Sequence, residues 1–325
     1  VLVGEARNGT SYDFALARYN ADGTLDTNFD GDGIVFTDFD AQADGGRAVA
    51  LQQDGRLVVA GFAKVGDNNN FALARYNSNG SLDGTFDQDG TVTTDFYGHN
   101  EYSYAILLEP GSGNLVVGGY IWDGTQNDFA LARYTSTGTL DTTFDGDGMV
   151  VTDFNGRSEW GYGLVRQSDD KLILAGYMTT VAGSDFAMAR YHEDGILDLG
   201  FSEDGWVVTN LFGSNDQGLA AAMQPDGKLV VAGWVEELSD TDFAVARYYS
   251  AGSRDPSFSG DGRVVTDVNG NYDYAYATIM QPNGRIVVAG AANNGWDDDF
   301  ALVRYYSDGN LDTTFGGDGL VINDY

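Results

Sequence analysis

The chain contains no cysteine in 325 residues, which excludes disulfides, thiol nucleophiles and Cys-ligated zinc. Lysine is nearly absent as well, confined to Lys64, Lys171 and Lys228, and the 17 basic residues face 49 acidic ones for a formal charge of −32. Such a surface repels phosphate backbones and anionic headgroups, so neither nucleic acid nor membrane insertion is expected. Only two histidines occur, His99 and His192. They fall at non-equivalent places in the repeat described below, so they do not form one site, and His192 reads as a turn residue. No Ser-His-Asp arrangement and no phosphate-cradling glycine loop ahead of a helix is found. No apolar run reaches the roughly 18 residues of a membrane span. Prolines number 4 against 45 glycines, and with many Tyr, Phe and Val residues this composition describes short strands and tight turns.

What is present is a fixed period. The run Asp13-Phe14-Ala15-Leu16-Ala17-Arg18-Tyr19 recurs with its Phe at 14, 71, 129, 186, 243 and 300. Each period of about 57 residues contains four strand-like runs, a to d, exemplified by Arg47 to Gln53, Arg56 to Ala63, Phe71 to Asn77 and Thr91 to Phe96. Runs a and b are joined by Asp-Gly or Asn-Gly turns such as Asp54-Gly55 and Asn283-Gly284, a strong hairpin signal. Run b, as in Leu57-Val58-Val59-Ala60-Gly61, is apolar on both faces, as a sheet covered on both sides requires. With no helical period anywhere, the chain reads as an all-β, six-bladed β-propeller of four-stranded antiparallel blades. An open β-solenoid is the rival, but its repeats are usually shorter.

The combination of Gln224-Pro225-Asp226-Gly227-Lys228-Leu229-Val230-Val231-Ala232-Gly233, then Asp-Phe-Ala-Leu-Ala-Arg-Tyr, then Leu140-Asp141-Thr142-Thr143-Phe144-Asp145-Gly146-Asp147-Gly148, resembles the delta-60 repeat family of bacterial β-propeller repeats. The resemblance covers essentially the whole chain. It implies a propeller and an extracellular or cell-surface setting within a larger protein, and it carries no assigned activity. On the strand count, residues 1–325 form a single domain of six repeats whose first blade lacks its a strand. The opening Val1-Leu2-Val3-Gly4 is mid-strand in register, so the chain is expected to be a piece of a longer one.

In an up-and-down blade the a–b and c–d connections share one end of the strands, and the b–c and d–a connections share the other. The first pair is nearly constant, whereas the b–c connection keeps nine residues in every copy while its content changes, from Phe62-Ala63-Lys64-Val65-Gly66 to Trp234-Val235-Glu236-Glu237-Leu238. Fixed length with free content marks variable tips on a rigid scaffold. Trp122, Trp160, Trp234 and Trp296, with Tyr102, Tyr162, Tyr177 and Tyr272, are placed on these variable connections. They serve either as plugs of their own loops or as a surface for a protein or glycan.

Two sets of carboxylates invite a cation. The c–d connector bears Asp26, Asp30 and Asp32, then Asp83, Asp87 and Asp89, then Asp141, Asp145 and Asp147. Acids on a glycine-rich loop suit Ca²⁺, and because the middle Asp becomes Ser202, Ser259 or Gly316 later, such sites would weaken along the chain. The competing reading is a repeated ion pair, Arg18 with Asp32, Arg75 with Asp89, Arg133 with Asp147, Arg190 with Asp204, Arg247 with Asp261 and Arg304 with Asp318. At the variable end, Asp13 and its equivalents begin the c strands, Asp38 and its equivalents end the d strands, and a third acid follows at Asp44, Glu101, Glu159, Asp216 and Asp273. These are solvated, capped by backbone N–H groups, or bridged by a cation.

Acids that recur in every repeat single out no acid–base pair, so a carbohydrate-active enzyme is the weakest of three functional readings. The others are an interaction module docking a protein or glycan through the variable end, and a calcium-stabilised spacer without its own ligand.

Overall fold

Strand formation follows the repeat directly, because every b and c run pairs its backbone into a hairpin and leaves its apolar side chains on both faces. A computed structural model describes residues 1–40, 42–237 and 240–324; Leu238 and Tyr325, which the sequence reading placed in a b–c connection and at the end of the last d run, lie outside them. Six antiparallel sheets result, three-stranded in the first case and four-stranded in the other five, each in the order a-b-c-d. That is the make-up of a six-bladed β-propeller with one strand missing from its first blade. No helix occurs among the described residues.

The sheets fall into two compact units, Val1–Asp153 and Phe154–Tyr325. In unit one, sheet one holds β1 (Leu2–Asn8), β2 (Ser11–Ala17) and β3 (Ile34–Thr37). Sheet two holds β4 (Asp44–Leu51), β5 (Leu57–Val65), β6 (Asn68–Tyr76) and β7 (Thr91–Thr94), and sheet three β8 (Asn100–Leu108), β9 (Leu115–Trp122), β10 (Asn127–Tyr134) and β11 (Met149–Thr152). In unit two, sheet four comprises β12 (Glu159–Arg166), β13 (Leu172–Thr180), β14 (Gly183–Tyr191) and β15 (Trp206–Thr209). Sheet five comprises β16 (Asp216–Met223), β17 (Leu229–Glu237), β18 (Asp240–Tyr248) and β19 (Arg263–Thr266), and sheet six β20 (Asp273–Met280), β21 (Ile286–Asn293), β22 (Asp298–Tyr305) and β23 (Leu320–Asn323).

Within each unit the a strand of one sheet lies across the face of the sheet before it, as β4 on β1 and β2, β8 on β4 to β6, β16 on β12 to β14 and β20 on β16 to β18. The seams are filled by small and branched residues; between sheets two and three, for example, Val58, Ala60, Phe71 and Leu73 meet Leu115, Val117, Ile121 and Ala130, all buried. Each such side chain is worth about 1.5–3 kcal/mol on full burial. The c-strand phenylalanines Phe71 and Phe243 are fully buried, while their counterpart Phe300 in sheet six is 69% exposed.

Spacing between neighbouring strands is set by a glycine. Each four-stranded sheet has a bulge in its a strand, as between Gly46 and Ala48, opposite a b-strand glycine. A Cβ on Gly61 would stand 1.9 Å from the Gly45 carbonyl oxygen, and one on Gly233 would stand 1.8 Å from that of Gln217. Gly4 occupies the same place in β1, which has no a strand beside it, and a Cβ there meets nothing within 4 Å. Gly61→Ala is therefore expected to cost about 3 kcal/mol or more in urea unfolding, whereas Gly4→Ala leaves the midpoint within about 0.5 kcal/mol.

The structure also corrects the length of the variable connections. β5 and β6 pair all the way from Leu57↔Tyr76 to Val65↔Asn68, so the nine-residue b–c loop shrinks to the turn Gly66-Asp67. Backbone ladders form whatever the side chains are, so variable content did not imply an unpaired loop.

Candidate functional site: a constant clamp at one end and acidic junctions at the other

At the constant end, each c strand finishes on Arg-Tyr. The arginine Nε meets the first connector aspartate, eight residues on, at 2.9 Å for Arg18–Asp26, 2.8 Å for Arg75–Asp83, 2.9 Å for Arg133–Asp141 and 2.8 Å for Arg304–Asp312. Arg190–Asp198 and Arg247–Asp255 repeat the arrangement at 2.8 Å. Beneath each guanidinium lies the connector phenylalanine, 4.5 Å below Arg18 for Phe29 and 4.8 Å below Arg247 for Phe258, a cation–π contact. A third group comes from the next sheet: Arg75 Nη1 donates to the Ser136 carbonyl at 2.6 Å, Arg190 to that of Ser250 at 2.5 Å, and Arg18 and Arg247 to those of Ser78 and Ser307. The following tyrosine reaches the other way, Tyr76 to Thr37, Tyr134 to Thr94 and Tyr305 to Thr266 of the preceding sheet, each at 2.7 Å.

The expected pairing of Arg18, Arg75, Arg133, Arg190, Arg247 and Arg304 with Asp32, Asp89, Asp147, Asp204, Asp261 and Asp318 is thus overturned. Those six aspartates lie beyond a tight turn and accept the backbone N–H two residues on, from Ile34 at 2.9 Å, Thr91 at 2.8 Å, Met149 at 2.9 Å, Trp206 at 3.4 Å, Arg263 at 3.2 Å and Leu320 at 2.9 Å. The true partners, Asp26 and its equivalents, recur just as strictly in the sequence; what the spacing concealed is that the connector doubles back after Leu25, which bridges to Tyr19.

Among the described residues the connector acids form no group of three whose oxygens lie together. Asp26, Asp83 and Asp141 are committed to arginine and to their own turns, the last two accepting from Thr85 and Thr143. Asp30, Asp87 and Asp145 sit at φ of 52°, 46° and 49°, and Ser202, Ser259 and Gly316 take up the same left-handed position at 54°, 50° and 65°. Gly and Asp are among the residues that tolerate that backbone. The N–H of this residue donates to the next sheet's turn, from Asp30 to Asn79 at 2.7 Å and from Ser259 to Asp308 at 2.8 Å.

Burial acts on these connector acids in opposition to their partners. For Asp255 it raises the pKa, but hydrogen bonds from Ser257 and Tyr249 and the charge of Arg247 outweigh it and hold the carboxyl well below the ordinary range. Asp83→Asn, which leaves Arg75 buried without its counter-charge, is expected to cost about 3–5 kcal/mol in chemical unfolding. Asp89→Asn keeps its turn hydrogen bond and stays within about 0.5 kcal/mol of wild type.

At the variable end the sequence-selected aromatics divide. Trp160 on β12 stacks on Tyr177 of β13 at 4.8 Å, with Tyr162 at 5.9 Å; Trp234 on β17 meets Tyr274 edge-on at 5.5 Å; Tyr102 on β8 tilts against Phe62 at 5.2 Å. These are half-buried strand residues, not loop residues, because the extended hairpins carry them into the ladder. Trp122, at the end of β9, is 39% exposed, Tyr272 51% and Trp296 95%.

The acids at this end converge as the strand order requires. Asp13 of β2, Asp38 just after β3 and Asp44, the first residue of β4, each bring a carboxylate oxygen within 4.8 Å of the others, and Asp242, Asp267 and Asp273 do the same between sheets five and six. At the equivalent place between sheets two and three stand Asn70, Asp95 and Glu101. Burial, and then the charge of Asp95, push the Glu101 carboxyl up to about 9, against the pull of backbone N–H groups of Phe96 and His99. Since the folded value lies above the unfolded one, this group's contribution to stability is complete below about pH 4.5 and is lost as pH rises toward 9. Glu101→Gln is accordingly expected to melt with wild type at pH 4 and a few degrees above it at pH 8.

A family model described as a domain of unknown function (DUF5122) beta-propeller matches residues 1–29, 52–86, 111–144, 167–201, 224–258 and 281–315. The chain belongs to this family. Each DUF5122 stretch ends on the phenylalanine under the arginine, so the Arg-Asp-Phe cluster is part of the family pattern, whereas Asp38 and Asp44 lie outside it. No curated protein matches the chain. Among solved structures, a gluconolactonase from Xanthomonas campestris is 12% identical over 91% of this chain and 82% of its own, with a TM-score of 0.43. Sqt1 from Chaetomium thermophilum is 12% identical over 98% and 81%, with a TM-score of 0.42.

Proposed function

We propose that the chain is an interaction module of a secreted or cell-surface bacterial protein that docks a protein or glycan at the end bearing the b–c turns, and that it is not an enzyme. The observation that carries this reading is Trp296, whose indole is 95% exposed on a turn that is itself held rigid. Asn294 Oδ1 accepts the N–H of Trp296 at 2.9 Å and of Asp297 at 3.2 Å, and Asn293 Oδ1 accepts that of Gly295 at 2.8 Å. The Asn293 N–H in turn donates to the Tyr272 carbonyl at 3.1 Å, which brings the d–a connection and its exposed ring beside the tip. A large flat side chain displayed on a braced turn binds at little entropic cost, which is how aromatic anchors act at interfaces and on sugar rings. Trp122, the last paired residue of a b strand in unit one beside the Asp123 turn, is 39% exposed.

A glycan array together with capture of surface proteins would test this. Trp296→Ala and Trp122→Ala are expected to weaken binding at least tenfold without lowering the melting temperature; binding unchanged in both would dismiss the site, and cleavage of a bound polysaccharide would dismiss the non-enzymatic reading.

A further inference from the structure

We propose that copies of this chain associate head to tail, sheet six of one receiving sheet one of the next in a further seam of the kind that already joins sheets within each unit. Sheet six presents a face that is covered in the sheets before it. The c-strand phenylalanine is fully buried at Phe14, Phe71, Phe129, Phe186 and Phe243, but Phe300 is 69% exposed. The connector phenylalanine behaves alike, fully buried in every copy from Phe29 through Phe258 and only half-buried as Phe315. With Tyr276, Leu302 and Val321, Phe300 lines an open trough on this face.

Sheet one presents the opposite face. The tyrosine after the arginine is fully buried at Tyr76, Tyr134, Tyr191, Tyr248 and Tyr305, whereas Tyr19 is 45% exposed. Leu2 lies opposite Ala17 in the ladder, so strand alternation puts it on the same face as Tyr19, and it too is exposed.

Single exposed apolar residues are ordinary on a protein surface. These two faces differ because the contacts unmet on one are matched by those unmet on the other. Within unit two, the Tyr305 and Thr266 hydroxyls share a hydrogen bond at 2.7 Å, and Thr266 stands opposite Phe243 in the ladder. Asn323 holds that rung of sheet six, opposite Phe300, and Tyr19 of a second copy supplies the hydroxyl. Arg247 Nη1 donates to the Ser307 carbonyl, whereas Arg304 spends Nε on Asp312 and Nη2 on Thr314. The carbonyl that corresponds to Ser307 in sheet one is that of Ala21, next to the turn glycine Gly23 as Ser307 is to Gly309. The Ser259 N–H donates to the Asp308 carbonyl at 2.8 Å, and the matching pair is Gly316 with Asp22. A Cβ on Gly309 would stand 3.0 Å from the Phe258 ring, whereas one on Gly23 meets nothing within 4 Å; Phe315 is the ring that fits it.

The partner is a second copy because donors, acceptors, ring and glycine at one end are answered in the same order at the other. Such a contact uses a different patch on each molecule, so it leaves one outer face of each kind available for further copies.

Sedimentation velocity on the full chain over a roughly hundredfold concentration range tests this, in about 0.5 M NaCl to screen repulsion between copies of charge −32. Wild type is expected to pass from monomer to dimer and longer species as concentration rises. Phe300→Glu blocks one end and Tyr19→Glu the other, both at positions exposed within a single chain, so each variant alone is expected to fold and stay monomeric. Their equimolar mixture is expected to form a 1:1 dimer and nothing longer, since one intact face of each kind remains. Leu2→Glu in place of Tyr19→Glu is expected to give the same result. Wild type that stays monomeric throughout would overturn the proposal. So would a mixture no more associated than the separate variants.

Discussion

One guanidinium per repeat organises the constant half of this molecule. It neutralises the connector aspartate, rests on the connector phenylalanine and, in four of the copies, holds a serine carbonyl of the next sheet. Removing any one of the three leaves a buried charge or an unsatisfied carbonyl, which is why Leu-Asp-x-x-Phe and the terminal Arg travel together in the sequence. A lysine would not serve, since a point charge cannot meet a carboxylate, a ring face and a carbonyl in three directions at once.

Freedom at the opposite end follows from that investment. With seams closed by glycine-spaced backbones and the arginine cluster, hairpin tips vary in content while keeping their length, although some, such as Asn69 to Asn100, still bond across to the next sheet. Among the acids at the junctions, Asp44 and Asp273 are buried like the core yet lie outside the stretches that the family shares, whereas Asp13 and Asp242 lie within them.

The sheet count, the strand order and the short first blade were all readable from the 57-residue period, because hairpin turns and apolar runs are local signals. The two errors came from contacts that sequence spacing does not report. Asp32 was the nearer-looking partner for Arg18 only on an extended connector; the chain folds back at Leu25 and offers Asp26 instead. Trp160 and Trp234 looked like loop residues because their neighbours change from copy to copy, but backbone pairing ignores side chains and drew them into strands. Convergence of Asp13, Asp38 and Asp44, by contrast, was implied by antiparallel order alone.

Where both contacts form, as at Arg75 and Tyr76, the tyrosine reaches backward across one seam while the arginine reaches forward across the next, so the repeat has one hand on either neighbour. Grip of this kind has a direction but no preferred starting point: a stretch one period long is the same module wherever along the period it is cut. Joining two tandem copies at any breakpoint would match a forward hand to a backward one, leaving no misfit at the joint itself.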